Sequence, residues 1–345
     1  MFFNIFHKLY HKIFVNIVVH HHKSDIYIEQ INNKGIVVDS TTKEFPTSTL
    51  TKEMQNFIRE ATLESPYNYI AILDKSTLQG ALPTASKKEY AKYKDLSAYE
   101  VIQVDNRWST YSEKGEIYRI KKEYEALPLD FIFSPFLLLE RFFKDKLELS
   151  MTLFLLIEKD FISLSVYDHS KLLYAEHLDL EKATDNDEML IYEDEFAQED
   201  EDDGINLDDI TAIEDLDDME LFDDFGDIED LDSIDDIDDF SESKDIEEDN
   251  LTNIEEESQE IVSNEADGFN EDYQRFLLIQ TALNTFYKDD LYESEFIEHV
   301  YIADGVGVSH DLKRFLEEEM FLTVYTRKID LTLALCELAK EEVNL

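Results

Sequence analysis

Two separated stretches of the chain repeat one pattern of apolar and polar positions. In the later one, the apolar run Leu153 to Ile157, the alternation at Ile162, Leu164 and Val166, and the polar turn Asp168-His169-Ser170-Lys171 before Leu172 to Leu178 predict a meander of three antiparallel strands. In the earlier one, Phe14 to Val19, Ile26 to Ile31 and Ile36 to Asp39 predict three more, with Asn33-Lys34-Gly35 as the second turn. Thr49 to Thr62 reads as a helix and Tyr67 to Leu73 as a buried strand. Phe136 to Lys146, with Pro135 at its first turn, is a short amphipathic helix. Asp272 to Lys288 is helical through Phe276, Ile279, Leu283 and Phe286, and His299 to Ala303 is a strand that Asp304-Gly305-Val306-Gly307-Val308 turns into a helix from Asp311 to Met320. A strand at Leu322 to Tyr325 and a helix from Leu331 to Val343 complete a mixed α/β layered pattern.

Two stretches fall outside this repetition. Met1 to Ile13 sets Asn4, His7, Lys8, His11 and Lys12 on one helical face and Phe2, Phe3, Phe6, Leu9, Tyr10 and Ile13 on the other. This amphipathic N-terminal helix, 1–13, reads equally as a helix lying on the inner face of a bilayer and as one packed on its own domain. A secretory signal is disfavoured, since Lys8 and Lys12 break the apolar run and no small-residue cleavage site follows. From Lys87 to Lys122, nine Lys and Arg face six Asp and Glu, with Tyr90, Tyr93, Tyr99, Trp108, Tyr111 and Tyr118 among them. Such interleaving can bind single-stranded nucleic acid, but a hairpin turning through Glu113-Lys114-Gly115-Glu116 with a solvated face explains the same residues and is preferred. This basic surface is also a possible dock for the acidic stretch of the same chain described next.

Charge changes the picture. Of the formal −50, a net −38 falls between Asp185 and Asp267, where 39 Asp and Glu face the single Lys244. The rest is an ordinary acidic globular chain, interrupted by a polyanionic insert. Within it, Leu207, Ile210, Ile213, Leu216, Met219, Phe222, Phe225, Ile228, Leu231, Ile234, Ile237 and Phe240 recur every third position. A period of three drifts around a helix and leaves no single face to bury. Residues 185–267 are therefore expected to be a disordered, low-complexity region with spaced apolar stickers, either a docking strip for a basic partner or a solubilising loop. The same field repels nucleic acid, so none is expected as a partner. Clustered carboxylates suit calcium, but no EF-hand spacing is present. Cys336 is the only cysteine, which excludes an intramolecular disulfide and points to the cytosol. No run reaches the 18 apolar residues of a spanning helix.

Candidate chemistry is sparse. G-x-S-x-G, H-E-x-x-H and the P-loop pattern are all missing. The triplet His20-His21-His22 invites a metal, but neighbours on a strand point to opposite faces and no carboxylate cluster obviously completes a site, so no metal is expected there. Eight glycines occur in the whole chain, three of them (Gly204, Gly226, Gly268) in or beside the insert. Wrapping backbone amides around phosphates needs glycine where the phosphates approach.

Leu129-Asp130-Phe131, the Phe136 helix, the second meander, the helix ending Thr281-Ala282-Leu283-Asn284-Thr285-Phe286-Tyr287 and the turn Ile302-Ala303-Asp304-Gly305 follow one another in an order that resembles the actin-like ATPase family of the PilM (type IV pilus assembly) and FtsA kind. The resemblance implies an α/β, actin-like (ribonuclease H-like) two-lobed fold. Residues 14–150 would form the first lobe, with an extra subdomain at about 75–128, and 151–184 with 268–345 the second, the insert 185–267 standing apart. The family's first phosphate turn, aspartate-x-glycine, falls near Val19 and His21 and its second near Leu156 and Glu158; neither pair is retained. At the third, only Gly305 and, two residues on, Gly307 are expected to survive, as vestiges of a cofactor site. The expectation is a pseudo-ATPase with no catalytic residue, no metal and no cofactor, ATP with Mg being disfavoured. Its function would be that of a non-catalytic cytoplasmic scaffold, peripheral on the inner membrane, holding the cytosolic tail of a PilN-like bitopic membrane protein in a pilus, secretion or flagellar-motor machine. Homo-oligomerisation stays open. The alternatives are a divergent actin-like ATPase and an acidic docking protein for basic partners.

Overall fold

The computed structural model describes residues 10–180 and 271–343. The first lobe opens with β1 (Lys12–Val19), β2 (Ser24–Ile31) and β3 (Val37–Phe45), the predicted meander with a longer third strand. Gly35 makes the second turn at φ +74°, in the left-handed region that glycine enters freely. Helix α1 (Lys52–Thr62), capped by Thr51, leads to β4 (Tyr67–Leu73), and the lobe closes with β8 (Phe131–Phe133). The strand order is β3-β2-β1-β4-β8, antiparallel through the meander and parallel from β1 to β4 to β8.

The second lobe repeats that plan. Strands β9 (Thr152–Ile157), β10 (Phe161–Asp168) and β11 (Lys171–Asp179) form its meander, and β12 (His299–Asp304) and β13 (Thr323–Lys328) extend it in parallel. The order β11-β10-β9-β12-β13 matches the first sheet position for position. Two sheets of this topology within one chain are the actin-like, ribonuclease H-like architecture.

Every central strand is buried on both faces, and period two decides which layer each side chain joins. In β9, Leu153, Leu155 and Ile157 face outward beneath α5 (271–288) and α6 (His310–Glu318), meeting Ile279, Leu283, Leu312 and Leu316. The alternate Phe154 and Leu156 face inward to a core shared by both lobes with Phe14, Val18, Leu139 and Leu335. In β1, Ile13, Val15 and Ile17 face α1 and the first lobe's outer layer. Two helices stitch the lobes across the shared core. Helix α4 (Pro135–Phe142), capped by Ser134, packs on β9 and β10, while α7 (Leu331–Glu342) packs on β1, β2 and β4. The stretch from 331, expected to belong to the second lobe, thus lies against the first. Lys340 fixes it there through an ion pair of 2.6 Å to Glu29, a buried carboxylate that also accepts from Tyr27 Oη at 2.7 Å.

Three expectations are corrected. Lys12 and Ile13 already belong to β1, paired with Ile31 and Gln30 of β2, so a helix over 1–13 does not reach its stated end. A run rich in β-branched residues, buried on both sides, is extended rather than helical there. Residues 1–9, like the acidic stretch 185–267, lie outside the described residues. The hairpin does not turn at Glu113–Glu116, where β7 (Trp108–Glu113) passes directly into α3 (Lys114–Glu123). It turns between β6 (Tyr99–Val104) and β7, where Asp105 and Asn106 take positive φ of 48° and 54°. Asp and Asn tolerate that region better than any other side chains. Finally, the three-stranded sheet β5-β7-β6, with β5 at Gln79–Leu82 and a single turn of helix α2 at Tyr90–Tyr93, accounts for the extra subdomain only up to β7. Ile120 and Tyr124, from α3 and its end, are core residues of the first lobe itself.

Candidate functional site

Parallel pairing of β1 with β4 and of β9 with β12 brings the carboxyl ends of four central strands to one side of the molecule, where ligands of open α/β sheets bind. Between the lobes these ends border a cavity of about 780 Å³. The first lobe lines it with the β1–β2 turn, His20 to Lys23. The second contributes Glu158-Lys159-Asp160 from the β9–β10 turn, Gly305 and Val306 after β12, and Arg275 from α5.

The register sets the detail. Ile157 pairs with Asp304, so the next residues, Glu158 and Gly305, lie side by side. A Cβ at position 305 would overlap the Glu158 carboxylate, so glycine here makes room for a neighbouring side chain. Glu158 is 3% exposed. Burial raises its carboxyl to about 7, Lys75 opposing that rise and Asp160 and Asp304 adding to it. Among the described residues this carboxylate makes no ion pair, and the Lys159 amide donates to it.

The turn after β12 is occupied by its own first residue. Asp304 Oδ1 accepts from the amides of Val306 at 3.1 Å, Gly307 at 2.7 Å and Val308 at 2.9 Å. The Gly305 amide donates to Ile157 O at 3.0 Å. Four successive amides that could face a phosphate are therefore committed within the protein. Gly307 supplies the φ of +87° that lets the chain curl around the carboxylate. Of the two predicted vestigial residues, Gly305 lines the cavity and Gly307 shapes its wall.

Lys75, just beyond β4, crosses to the second lobe. Its ammonium donates to Val19 O at 2.9 Å and to Asp160 Oδ2 at 3.1 Å, and lies 5.1 Å from the centre of the Phe161 ring. His20 stands between Lys75 and Asp25, 3.1 Å from the latter; burial first and Lys75 second lower its pKa. His177, on β11, is held down to about 4 for the same two reasons, with Ser163 Oγ at 2.8 Å from its Nδ1. The histidine triplet thus forms a turn beside an ion-pair network. Among the described residues no group of three metal-ligating side chains is assembled.

Sequence reasoning reached Glu158 and Gly305 but missed Asp304, Lys75 and Asp160. Asp304 carried a readable signal, an Asp followed by Gly-x-Gly, which is the pattern of a side chain bonding the amides that follow it. Lys75 carried none, because its partner is 85 residues away.

The two matching sheets and the cleft between them define an actin-like protein with buried carboxylates of its own at the turns that border the cleft. Residues 153–344, more than half of the chain, match the family described as "Domain of unknown function (DUF8341)", and the chain belongs to that family. Residues 10–140 match a second description, "Domain of unknown function (DUF8569)". No curated protein matches. Among solved structures, a protein of Bacteroides thetaiotaomicron "with actin-like ATPase fold and unknown function" is similar at 11% identity, covering 94% of this chain and 96% of that one, with a TM-score of 0.46. The "PilM-PilN type IV pilus biogenesis complex" is similar at 11% identity, 93% and 89% coverage and a TM-score of 0.47. The ethanolamine utilization protein EutJ from Carboxydothermus hydrogenoformans is similar at 10% identity, 95% and 88% coverage and a TM-score of 0.34. The fold assignment rests on the strand order and pairing described above. Among the described residues no helix is long and apolar enough to cross a membrane.

Proposed function

We propose that this protein is a non-catalytic actin-like scaffold, working at the cytoplasmic face of the inner membrane, that holds the cytosolic tail of a bitopic, PilN-like membrane protein. The observation that carries the non-catalytic half is the self-occupied turn: Asp304 takes the amides of residues 306–308, and Glu158 covers Gly305. A triphosphate entering the cavity would meet buried carboxylates where it needs free N–H groups, and like charges in a poorly hydrated cleft repel. The residues present do not fit ATP with Mg. The tail-holding half draws on the order of elements shared with the PilM kind.

A divergent ATPase is the rival reading, and the size of the cavity, about 780 Å³, is what favours it. Calorimetric titration of the full chain with ATP and magnesium separates the two. No binding at millimolar nucleotide is expected, and micromolar affinity would establish the rival. Co-purification from membranes tests the remainder: a single-span protein with a short cytosolic tail should accompany the tagged chain in stoichiometric amount.

A further inference from the structure

The strongest unexplained feature of the cleft is a buried carboxylate with no ion-pair partner among the described residues, Lys75 acting on it only from a distance. Acidic groups outnumber basic ones around the cavity, with Asp25, Glu44, Glu158, Asp160, Glu271 and Asp330 against Lys23, Lys159 and Arg275. Most of these charges already have partners. Lys23 lies 3.4 Å from Asp25 and 2.6 Å from Glu44, Arg275 lies 3.2 Å from Glu271, and Lys75 serves Asp160. Asp330 caps α7 by accepting from the Thr332 and Leu333 amides. Two charges remain: Lys159, which is exposed, and Glu158, which borders the cavity at only 3% exposure with no ion pair among the described residues. An isolated buried carboxylate is costly unless it is protonated or paired.

We propose that the cleft receives an arginine or lysine side chain from the partner's cytosolic tail, seated over Gly305 with Glu158 as its counter-charge. This inference rests on the tail-holding reading and names where, and by what chemistry, the tail is held. Two arguments select a basic peptide over other occupants. The amides that would attract an anion are consumed by Asp304, so the surplus charge facing the cavity is negative. Cytoplasmic segments flanking a spanning helix are enriched in Lys and Arg, so a bitopic protein presents the required cations next to the membrane. The cavity has room for a whole side chain and part of its backbone, well beyond one ammonium group.

The test uses the full chain and a capped heptapeptide with a single central arginine, compared with the same peptide carrying neutral citrulline. For the wild type, the arginine peptide should bind at least about tenfold tighter, the scale of one desolvated charge pair. In Glu158→Gln that ratio should collapse towards one, whereas Glu158→Asp, which keeps the charge, should retain part of it. The acidic stretch 185–267 is the same in every variant, so its attraction for arginine cancels in the comparison. Removing an unpaired buried charge does not threaten folding, and a melting temperature no lower than that of the wild type at pH 5 checks this. An equal arginine-to-citrulline ratio in wild type and Glu158→Gln would overturn the inference. So would displacement of the peptide by spermidine at equal affinity, which would assign the cleft to free polyamines. Failure of the tail reading registers separately: no single-span protein would be recovered from membranes, while the peptides still discriminate between wild type and Glu158→Gln.

Discussion

The β1–β2 turn of the first lobe and the β9–β10 turn of the second stand at equivalent places in two sheets of identical topology, yet they are built on opposite principles. The first, His20 to Lys23, is a polar turn whose charges meet in partly exposed pairs with Asp25 and Glu44. The second is enclosed: Glu158 is buried, and Asp304, paired with Ile157 just before it, spends its carboxylate on the chain's own amides. The frame is therefore the same on both sides of the cleft, while the side chains that line it differ. Here the first turn is polar and partly exposed, while the second is enclosed and bordered by carboxylates of the protein itself.

The sharpest way to break this comparison is to remove one acid beside each turn, Asp304 at the end of β12 and Asp25 at the start of β2. Asp304→Ala frees three amides from a buried charged acceptor. Charge-assisted bonds contribute roughly 1.5–3 kcal/mol each and do not add fully, so a loss of roughly 4 kcal/mol is expected in urea denaturation. Asp25→Ala removes partly exposed pairs and should cost about 1 kcal/mol or less. Equal costs would mean that the second-lobe turn is no more self-occupied than the first.

A slightly smaller effect, with a sign set by pH, belongs to Glu158. Its carboxyl lies at about 7 against an ordinary 4.5, raised chiefly by burial. The folded state therefore binds the proton more tightly than the unfolded chain. The stability this carries is fully present below about pH 4.5 and is lost as pH rises to about 7, amounting to about 3 kcal/mol at pH 8. Glu158→Gln should accordingly stabilise the protein by about that much at pH 8 and by little at pH 4.5. Stability curves for the variant and wild type that run parallel from pH 4.5 to 8 would show that Glu158 ionises in the fold as freely as in water.

How much of this was visible in the chain follows from distance along it. Strands, turns and helix caps depend on neighbours, and Pro135 after Ser134, Asn33-Lys34-Gly35 and the alternation in Ile162, Leu164 and Val166 placed their elements correctly. Glu158, in the β9–β10 turn, was equally local and stands out from the sequence alone. Misreadings arose where two local signals competed: Lys114-Gly115 looked like the hairpin turn, but Asp105-Asn106 made it, leaving Lys114 free to begin α3. The return of α7 to the first lobe was hidden, because its apolar face meets strands some 300 residues earlier in the chain. The same holds for Lys75, whose role exists only once both lobes have folded.

Lys75 carries the smallest effect and the most specific readout, since it joins the two contrasted turns. Its ammonium binds Val19 O at the end of β1 and Asp160 in the β9–β10 turn, with a partly buried side chain. Lys75→Met keeps most of the apolar stem and removes the charge, and should cost about 1–2 kcal/mol, between the values for exposed and fully buried pairs. A double-mutant cycle with Asp160→Asn should recover about 1 kcal/mol of coupling. The histidines provide an independent measure. Lys75 is the second cause, after burial, of the lowered pKa of both His20 on the first lobe and His177 on the second. Imidazole titrations followed by NMR should therefore move upward at both positions in Lys75→Met, while burial keeps His177 below its ordinary 6.5. A shift at His20 alone would mean that Lys75 serves only the first-lobe turn. The cleft would then have no cation tying its walls together, and the two turns would differ in composition without being coupled.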